Sequence, residues 1–395
     1  MLRTTPFHSR TAPLCQARNW RRWAGYVVAS SYELAHDREY HAIRSAAALI
    51  DVSPLYKYLI AGPDAARLLD RVVTRDVASC RLHQVLYTPW CDTAGKQIDD
   101  GTVSRLEETT FRLTAAEPNL RWLHLNATGL RVTIEDVSDT VAALALQGPL
   151  ARDVLRGAAD GDVDGLRFFR LTRATIRGVS VTVSRTGYTG DLGYEIWLDA
   201  ADALPVWDAV VEAGMPYGLT PAGMLALDVA RIEAGLILLD VDYVSAHRAL
   251  IGPQTSSPFE LNLGWTVALA KPRFVGRPAL AAEAARDPAW RLAGIEVDWE
   301  SLERLYLDVG LAPRLPAAAW RTSVPIYARG RQAGYATSGC WSPLLKRYIA
   351  LAHLEAPFAA PGAPLEMEMT VEHRRRRAAA RVVKPPFFDP PRKRA

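Results

Sequence analysis

The spacing of hydrophobic and polar residues changes period repeatedly along the chain, and each change predicts an element. Tyr56 to Ala61 has the spacing of a strand and stops at Gly62-Pro63. Ala65 to Val72 then follows helical spacing, with Asp64 placed as its N-cap. From Thr102 to Leu113 apolar and polar residues alternate around Glu107-Glu108, the pattern of a hairpin. Val141 to Leu146 reads as a strand of small residues ended by Gly148-Pro149, and Ala151 opens another helix. Val179 to Ser184 and Tyr194 to Leu198 read as strands flanking a glycine-rich turn. Pro221 to Ala234 predicts a strong helix, with Thr220 as N-cap, Pro221 at the first position and Gly235 just past the end. This is a mixed α and β pattern with much antiparallel pairing.

Near Ala281 to Trp290 the pattern shifts to an alanine-rich polar helix, which predicts a domain boundary. Short strands with frequent Gly and Pro follow at Leu292–Val297, Val324–Ala328, Gly334–Thr337, Tyr348–Leu354 and Leu365–Val371. Such runs predict a small antiparallel barrel or sandwich. Ser301 to Ala319 carries Pro313 and Pro316 and reads as an exposed connection.

Composition narrows the class. A chain of 395 residues has room for two or three domains. Its 47 basic and 43 acidic residues are unevenly placed: nine Lys or Arg and one Asp follow His373, a local +8 that leaves −4 on the preceding residues. A slightly acidic body with a basic tail argues against nucleic-acid binding. No apolar run reaches the roughly 18 residues of a membrane span, and no apolar stretch follows the charged N-terminus as in a secretory signal. Cys15, Cys80, Cys91 and Cys340 are far apart, and the eight histidines are scattered without a ligand motif. The expectation is a cytoplasmic protein with free thiols and no metal.

Three segments are candidates for chemistry. Asp99-Asp100 sits at a turn-to-strand transition, where adjacent side chains face opposite sides, so one of the two can enter a given pocket. The pair reads either as solvated turn carboxylates or as a carboxylate aimed at a bound amine or pterin nitrogen. Arg185-Thr-Gly-Tyr-Thr-Gly-Asp-Leu-Gly-Tyr-Glu195 permits tight turns and close backbone approach. Glu195, on a strand beside aromatic residues, could accept two N–H donors from a heterocycle with an amino-imine edge; a decorated hairpin is the alternative. Asp228, Arg231 and Glu233 lie on one helix and read by default as a charged face, and Arg374 to Arg377 as a strand end or solvated face.

In order along nearly the whole chain, these and other segments resemble the glycine-cleavage T-protein (aminomethyltransferase) superfamily. The resemblance is carried by Trp23-Ala-Gly-Tyr26, Glu39-Tyr-His-Ala-Ile-Arg44, Asp51-Val-Ser53, Gly62-Pro-Asp-Ala65, Ile98-Asp-Asp-Gly101 and Leu146-Gln-Gly-Pro149. It continues through Arg185 to Glu195, Arg231-x-Glu-Ala-Gly235, Leu263-Gly-Trp265, Phe274-Val-Gly276 and Thr337-Ser-Gly339 to Pro386-Phe387. It implies an α+β, three-lobed, cloverleaf-like folate-binding fold with a C-terminal antiparallel β-barrel. Residues 1–285 would form two interleaved α/β lobes and 286–395 the barrel domain.

The resemblance further implies tetrahydrofolate as cofactor. Glu195 would pair with the pterin amino-imine edge, Tyr87 and Tyr188 would line the ring, and Trp265 would assist. Asp100, with Asp99 beside it, would sit near the pterin nitrogens that accept the carbon. The implied reaction moves a methyl or methylene group from a small N-, O- or S-methylated substrate to tetrahydrofolate. Carrier or oxidase proteins are the implied partners.

Departures point to a divergent, demethylase-like branch. Leu227 stands where the glycine-cleavage protein has an Arg for the folate tail, which leaves Arg231 as the expected anchor. Pro54-Leu55 replaces His-Met, Leu113 to Glu117 lacks the family asparagine, and Asp240 to Ser257 is longer and more apolar than its family counterpart. A glycine-cleavage T-protein is the alternative within the class. A non-catalytic folate-binding iron–sulfur assembly factor is the alternative outside it, disfavoured because its Lys-Gly-Cys-aromatic-x-Gly-Gln motif is absent.

Overall fold

Strand alternation builds two central sheets and a barrel in the computed structural model, which describes residues 2–395. The first sheet has seven strands, in the order Ala159–Asp160, Leu171–Ile176, Val179–Ser184, Gly193–Asp199, Val141–Gln147, Ala48–Asp51 and Thr220–Pro221. The second has five: Val85–Cys91, Gln97–Glu107, Thr110–Ala115, Tyr56–Ala61 and Thr133–Asp136. Six antiparallel strands between Trp290 and Val383 close into a barrel. The α+β class and the C-terminal antiparallel barrel are as expected, and closure decides between barrel and sandwich.

Each sheet buries one face in its own core. Leu144, Leu146, Tyr194, Ile196 and Leu198 pack against the helices Ala151–Ala158 and Ala203–Gly214. Tyr58, Ile60, Val103, Phe111 and Leu113 pack against Ala65–Val72 and Leu120–Asn126. Period-two alternation therefore sends the intervening residues toward the middle of the molecule. The helix Met224–Glu233 closes the middle, with every residue from Ala226 to Glu233 buried.

Several of the recurrent motifs do structural work here. Glu39 accepts the backbone N–H groups of Tyr32, Glu33 and Gly223, which fixes the start of the Met224 helix. Arg44 and Glu233 form a fully buried ion pair at 2.7 Å, and Tyr40 and Ser342 also donate to Glu233. The chain beyond the barrel returns to the first lobes: Phe388 N–H donates to Glu233 O, and Arg392 holds Asp191 through two bonds of 2.7 and 2.8 Å.

Local readings change in three places. The helix expected from Pro221 begins at Met224, because Thr220 and Pro221 add a parallel edge to Ala48–Asp51 and Gly223 becomes the cap position. Asp64 occupies the N-cap position of its helix but makes no capping bond; its carboxylate accepts from Arg131 N–H across the loop. The expected connection after Ser301 contains most of a helix, Trp299–Leu307, capped by Asp298 accepting from Ser301 N–H. Among the described residues, no helix is long and apolar enough to cross a membrane.

Candidate functional site

Strand register sorts the candidate residues by face. In the second sheet Tyr87 pairs with Thr102, Pro89 with Asp100 and Ser104 with Arg112. Tyr87, Asp100, Thr102 and Arg112 therefore share the central face, while Asp99, Trp90 and Val103 point back into the core. Gly101 is required between them, since a Cβ there would lie 1.9 Å from the carbonyl oxygen of Thr114.

The two aspartates consequently differ. Asp99 is fully buried and accepts from Asn119 Nδ2 at 2.9 Å and from the backbone N–H groups of Asp100 and Glu117. Burial, then the neighbouring Asp100, hold its pKa well above the usual carboxylate range despite these donors. Asp100 is half-buried at the centre and accepts from Tyr87 OH at 2.8 Å and from Tyr243 OH. Burial raises its pKa, and the two phenol donors oppose the rise. Only Asp100 presents its carboxylate on the central face.

Tyr243 was not singled out in the sequence. It lies in the flagged segment 240–257, which folds over the site so that its phenol meets Asp100. Asn119 also went unnoticed; it stands beyond the segment where the family asparagine is missing, and it bonds both Asp99 and Trp90 Nε1. Tyr188 donates to Ile237 O, which turns its ring toward the same region. Trp265 is 66% exposed and stacks on Tyr87 at 6.2 Å, an aromatic lip rather than a buried wall.

On the first sheet, Glu195 and Trp197 are two residues apart and share the central face of their strand. Glu195 accepts from Thr186 Oγ1 at 2.6 Å; Thr186 bonds Ser184 Oγ, which accepts from Trp197 Nε1 at 3.2 Å. Burial raises the pKa of Glu195, while the Thr186 hydroxyl and Arg112 oppose the shift. The glycine-rich turn before it closes on Gln147, which donates to Thr186 O and Tyr194 O and accepts from Thr189 Oγ1. A Cβ at Gly187 or Gly193 would come within 2.1 or 2.2 Å of Gln147 Oε1, so a side chain at either would push the Gln147 amide out of these hydrogen bonds.

Two buried cations complete the centre. Arg112 stacks on Trp197 with its guanidinium carbon 3.9 Å from the ring, and its Nε and Nη2 are buried without a partner. Lys57 donates to the carbonyls of Ser53 and Leu55, and burial, with Arg112 nearby, lowers its pKa to about 7.

Arg231 sits differently from the expected tail anchor. It is 1% exposed and held by Asp228 at 2.8 Å and by Asp242. Asp242 in turn accepts from Thr337 and Ser338 of the barrel. Asp228 also accepts from Arg321, whose side chain remains partly exposed. Leu227 is buried.

Comparison with known proteins accords with this architecture. Residues 6–271 match the GCVT N-terminal domain family, and residues 309–389 match the glycine cleavage T-protein C-terminal barrel domain. An aminomethyltransferase of Halothermothrix orenii is 34% identical over 356 residues, covering 89% of this chain and 90% of the relative. One from Bacillus pumilus is 33% identical over 395 residues, covering 98% and 99%. The crystal structure of glycine cleavage system aminomethyltransferase T from Bartonella henselae superposes with a TM-score of 0.83 at 23% identity, covering 98% of this chain and 99% of that one. That last likeness concerns the fold.

Proposed function

Because the chain belongs to the glycine-cleavage T-protein family, whose cofactor is tetrahydrofolate, we propose that it is a folate-dependent aminomethyltransferase working in the cytoplasm. The observation that carries this reading is the pairing of two carboxylates on opposed sheets: Glu195 beside an orphaned cation, and Asp100 under two phenols. These groups fit a reduced pterin. Glu195 is an acceptor able to take two N–H groups, and the turn that presents it packs two glycines directly against the Gln147 amide. Tetrahydrofolate, when bound, supplies a nucleophilic nitrogen for the transferred carbon.

The chain's own part is to hold, orient and polarise. Asp100 is placed to orient an amine and to stabilise positive charge growing on it. Tyr87 and Tyr243 hold both carboxylate oxygens, so its direction is set before any substrate arrives. Trp265 offers ring surface beside Tyr87, and Tyr188 is anchored through its phenol on Ile237 O. Fixing two reactants in one geometry supplies a large share of such a rate, on the order of 7–11 kcal/mol at best.

The donor in this reading is an aminomethyl group delivered by a lipoylated carrier, as in glycine cleavage. A second reading, removal of a methyl or methylene group from a small methylated substrate, is favoured by one observation. Tyr243, from the long apolar segment 240–257, covers Asp100 where a donor must approach. Supplying each donor in turn with tetrahydrofolate and following the loaded folate separates the two.

The folate reading is tested by anaerobic calorimetric titration. The protein should bind tetrahydrofolate, and Glu195→Ala should weaken binding at least ~100-fold while melting like the parent, as expected when a buried charged acceptor is lost. Unchanged affinity in the variant would remove Glu195 from the pterin.

A further inference from the structure

Arg112 and Glu195 carry opposite charge, are brought to the same centre from different sheets, and yet do not touch. Glu195 and Trp197 are separated by two strand positions, roughly 7 Å, and Arg112 lies flat on Trp197. The bonded series Glu195–Thr186–Ser184–Trp197 holds that spacing. No ion pair joins Arg112 to any carboxylate among the described residues. Elsewhere in the molecule guanidinium groups close on their carboxylates: Arg10 reaches Asp208 at 2.8 and 2.9 Å, and Arg392 reaches Asp191 at 2.7 and 2.8 Å. A guanidinium left 5% exposed with two unpartnered N–H-bearing nitrogens is costly unless something meets it.

We infer that Arg112 recognises the lactam oxygen of the pterin, next to the edge held by Glu195, and so selects a 4-oxo over a 4-amino ring. The inference rests on the folate reading above and adds a specificity residue to it. Its chemical basis is the order of groups along one edge of a pterin: the 2-amino group and N3–H are donors, and the neighbouring O4 is an acceptor. A carboxylate followed by a guanidinium, one ring-width apart, is the complement of that order.

Charge balance selects this ligand over a carboxylate. Across the gap the charge of Arg112 is matched by that of Glu195, and Lys57, spent on the Ser53 and Leu55 carbonyls with its pKa lowered to about 7, adds little further positive charge at neutral pH. An anionic ligand would unbalance the site and repel Glu195; a neutral edge with donors and an acceptor satisfies both walls. Burial lowers the Arg112 pKa to about 10, with Glu195 opposing, and the group stays cationic at neutral pH.

The test is calorimetric titration of the full chain with tetrahydrofolate and with 4-amino-4-deoxytetrahydrofolate. The parent should prefer the 4-oxo ligand, and in Arg112→Met that preference should shrink about 10-fold or more, the effect of one hydrogen bond to a buried charge. The change in the preference isolates Arg112, because the altered N3 contact to Glu195 is common to both proteins. Arg112→Lys, which keeps the charge, should retain part of it. Equal affinity of the parent for both ligands overturns the inference whatever the variants do. An unchanged preference in a folded Arg112→Met also overturns it, while leaving the folate reading in place. Failure of the parent to bind tetrahydrofolate at all overturns the folate reading and this inference together.

Discussion

Replacing Asp100 by Asn separates orientation from binding. The carboxylate accepts from Tyr87 OH at 2.8 Å and from Tyr243 OH, one phenol on each oxygen. Asparagine keeps one acceptor oxygen and turns an NH₂ group toward the other phenol, so one of the two tyrosines loses its charged acceptor. A hydrogen bond to a charged group contributes about 1.5–3 kcal/mol, and the loss is local because Asp99 and its Asn119 brace lie on the other face of the strand. Tetrahydrofolate affinity should therefore change by less than about 10-fold, since Asp100 is not the group assigned to the pterin edge. Turnover should fall about 10²–10⁴-fold, the usual scale for a positioned acid or base. The assay is single-turnover loading of saturating tetrahydrofolate from an aminomethylated lipoamide donor, read by chromatography of the folate product. Because burial raises the Asp100 pKa, the active carboxylate form should be lost, as pH falls, above the ordinary Asp value of about 3.9. That acid limb should be absent from the Asn variant. A variant that retains a third of the parental rate would refute the role given to Asp100.

Tyr243→Phe removes one of the two donors that oppose the rise in the Asp100 pKa, so the acid limb of turnover should move to higher pH; an unmoved limb would detach Tyr243 from the carboxylate. Lys57 has a folded pKa of about 7 against about 10.4 in an unfolded chain, so between these values the unfolded state binds the extra proton and stability rises with pH. Measured against Lys57→Met in urea unfolding, the parent should accordingly gain an amount on the order of 4 kcal/mol between pH 7 and pH values above 10. A pH-independent difference would contradict the assignment.

Much of the architecture was legible because it rests on short-range rules. Alternation marked the Thr102–Leu113 hairpin, and Gly-Pro pairs marked the ends of the Tyr56 and Val141 strands. The Met224 helix was legible as an element but not in its first turn. Ser-Thr-Pro rules place a cap at Thr220, whereas pairing with Ala48–Asp51 and the reach of Glu39 to Gly223 decide it from 170 or more residues away in sequence.

The same distinction governs the site. Choosing Asp100 over Asp99 required only the two-residue period of a strand, once the core face was known. Tyr243, Arg112 and Lys57 were invisible for another reason: each is an ordinary residue in its own segment, and its meaning comes from what the opposing sheet brings up to it. A lone Arg between Phe111 and Leu113 looks like the solvated face of a hairpin. It becomes a candidate for ligand recognition only because that face turns inward, onto Trp197 and toward Glu195. Arg231 shows the converse, since an arginine near the expected folate tail is held instead between Asp228 and Asp242, tying the central helix to the barrel through Thr337 and Ser338. Charge in a buried site is therefore read by its partners: Arg231, ion-paired to two aspartates with Nη2 alone left over, holds the fold together, and Arg112, with no carboxylate on it and both Nε and Nη2 unpartnered, has the greater capacity left for a ligand.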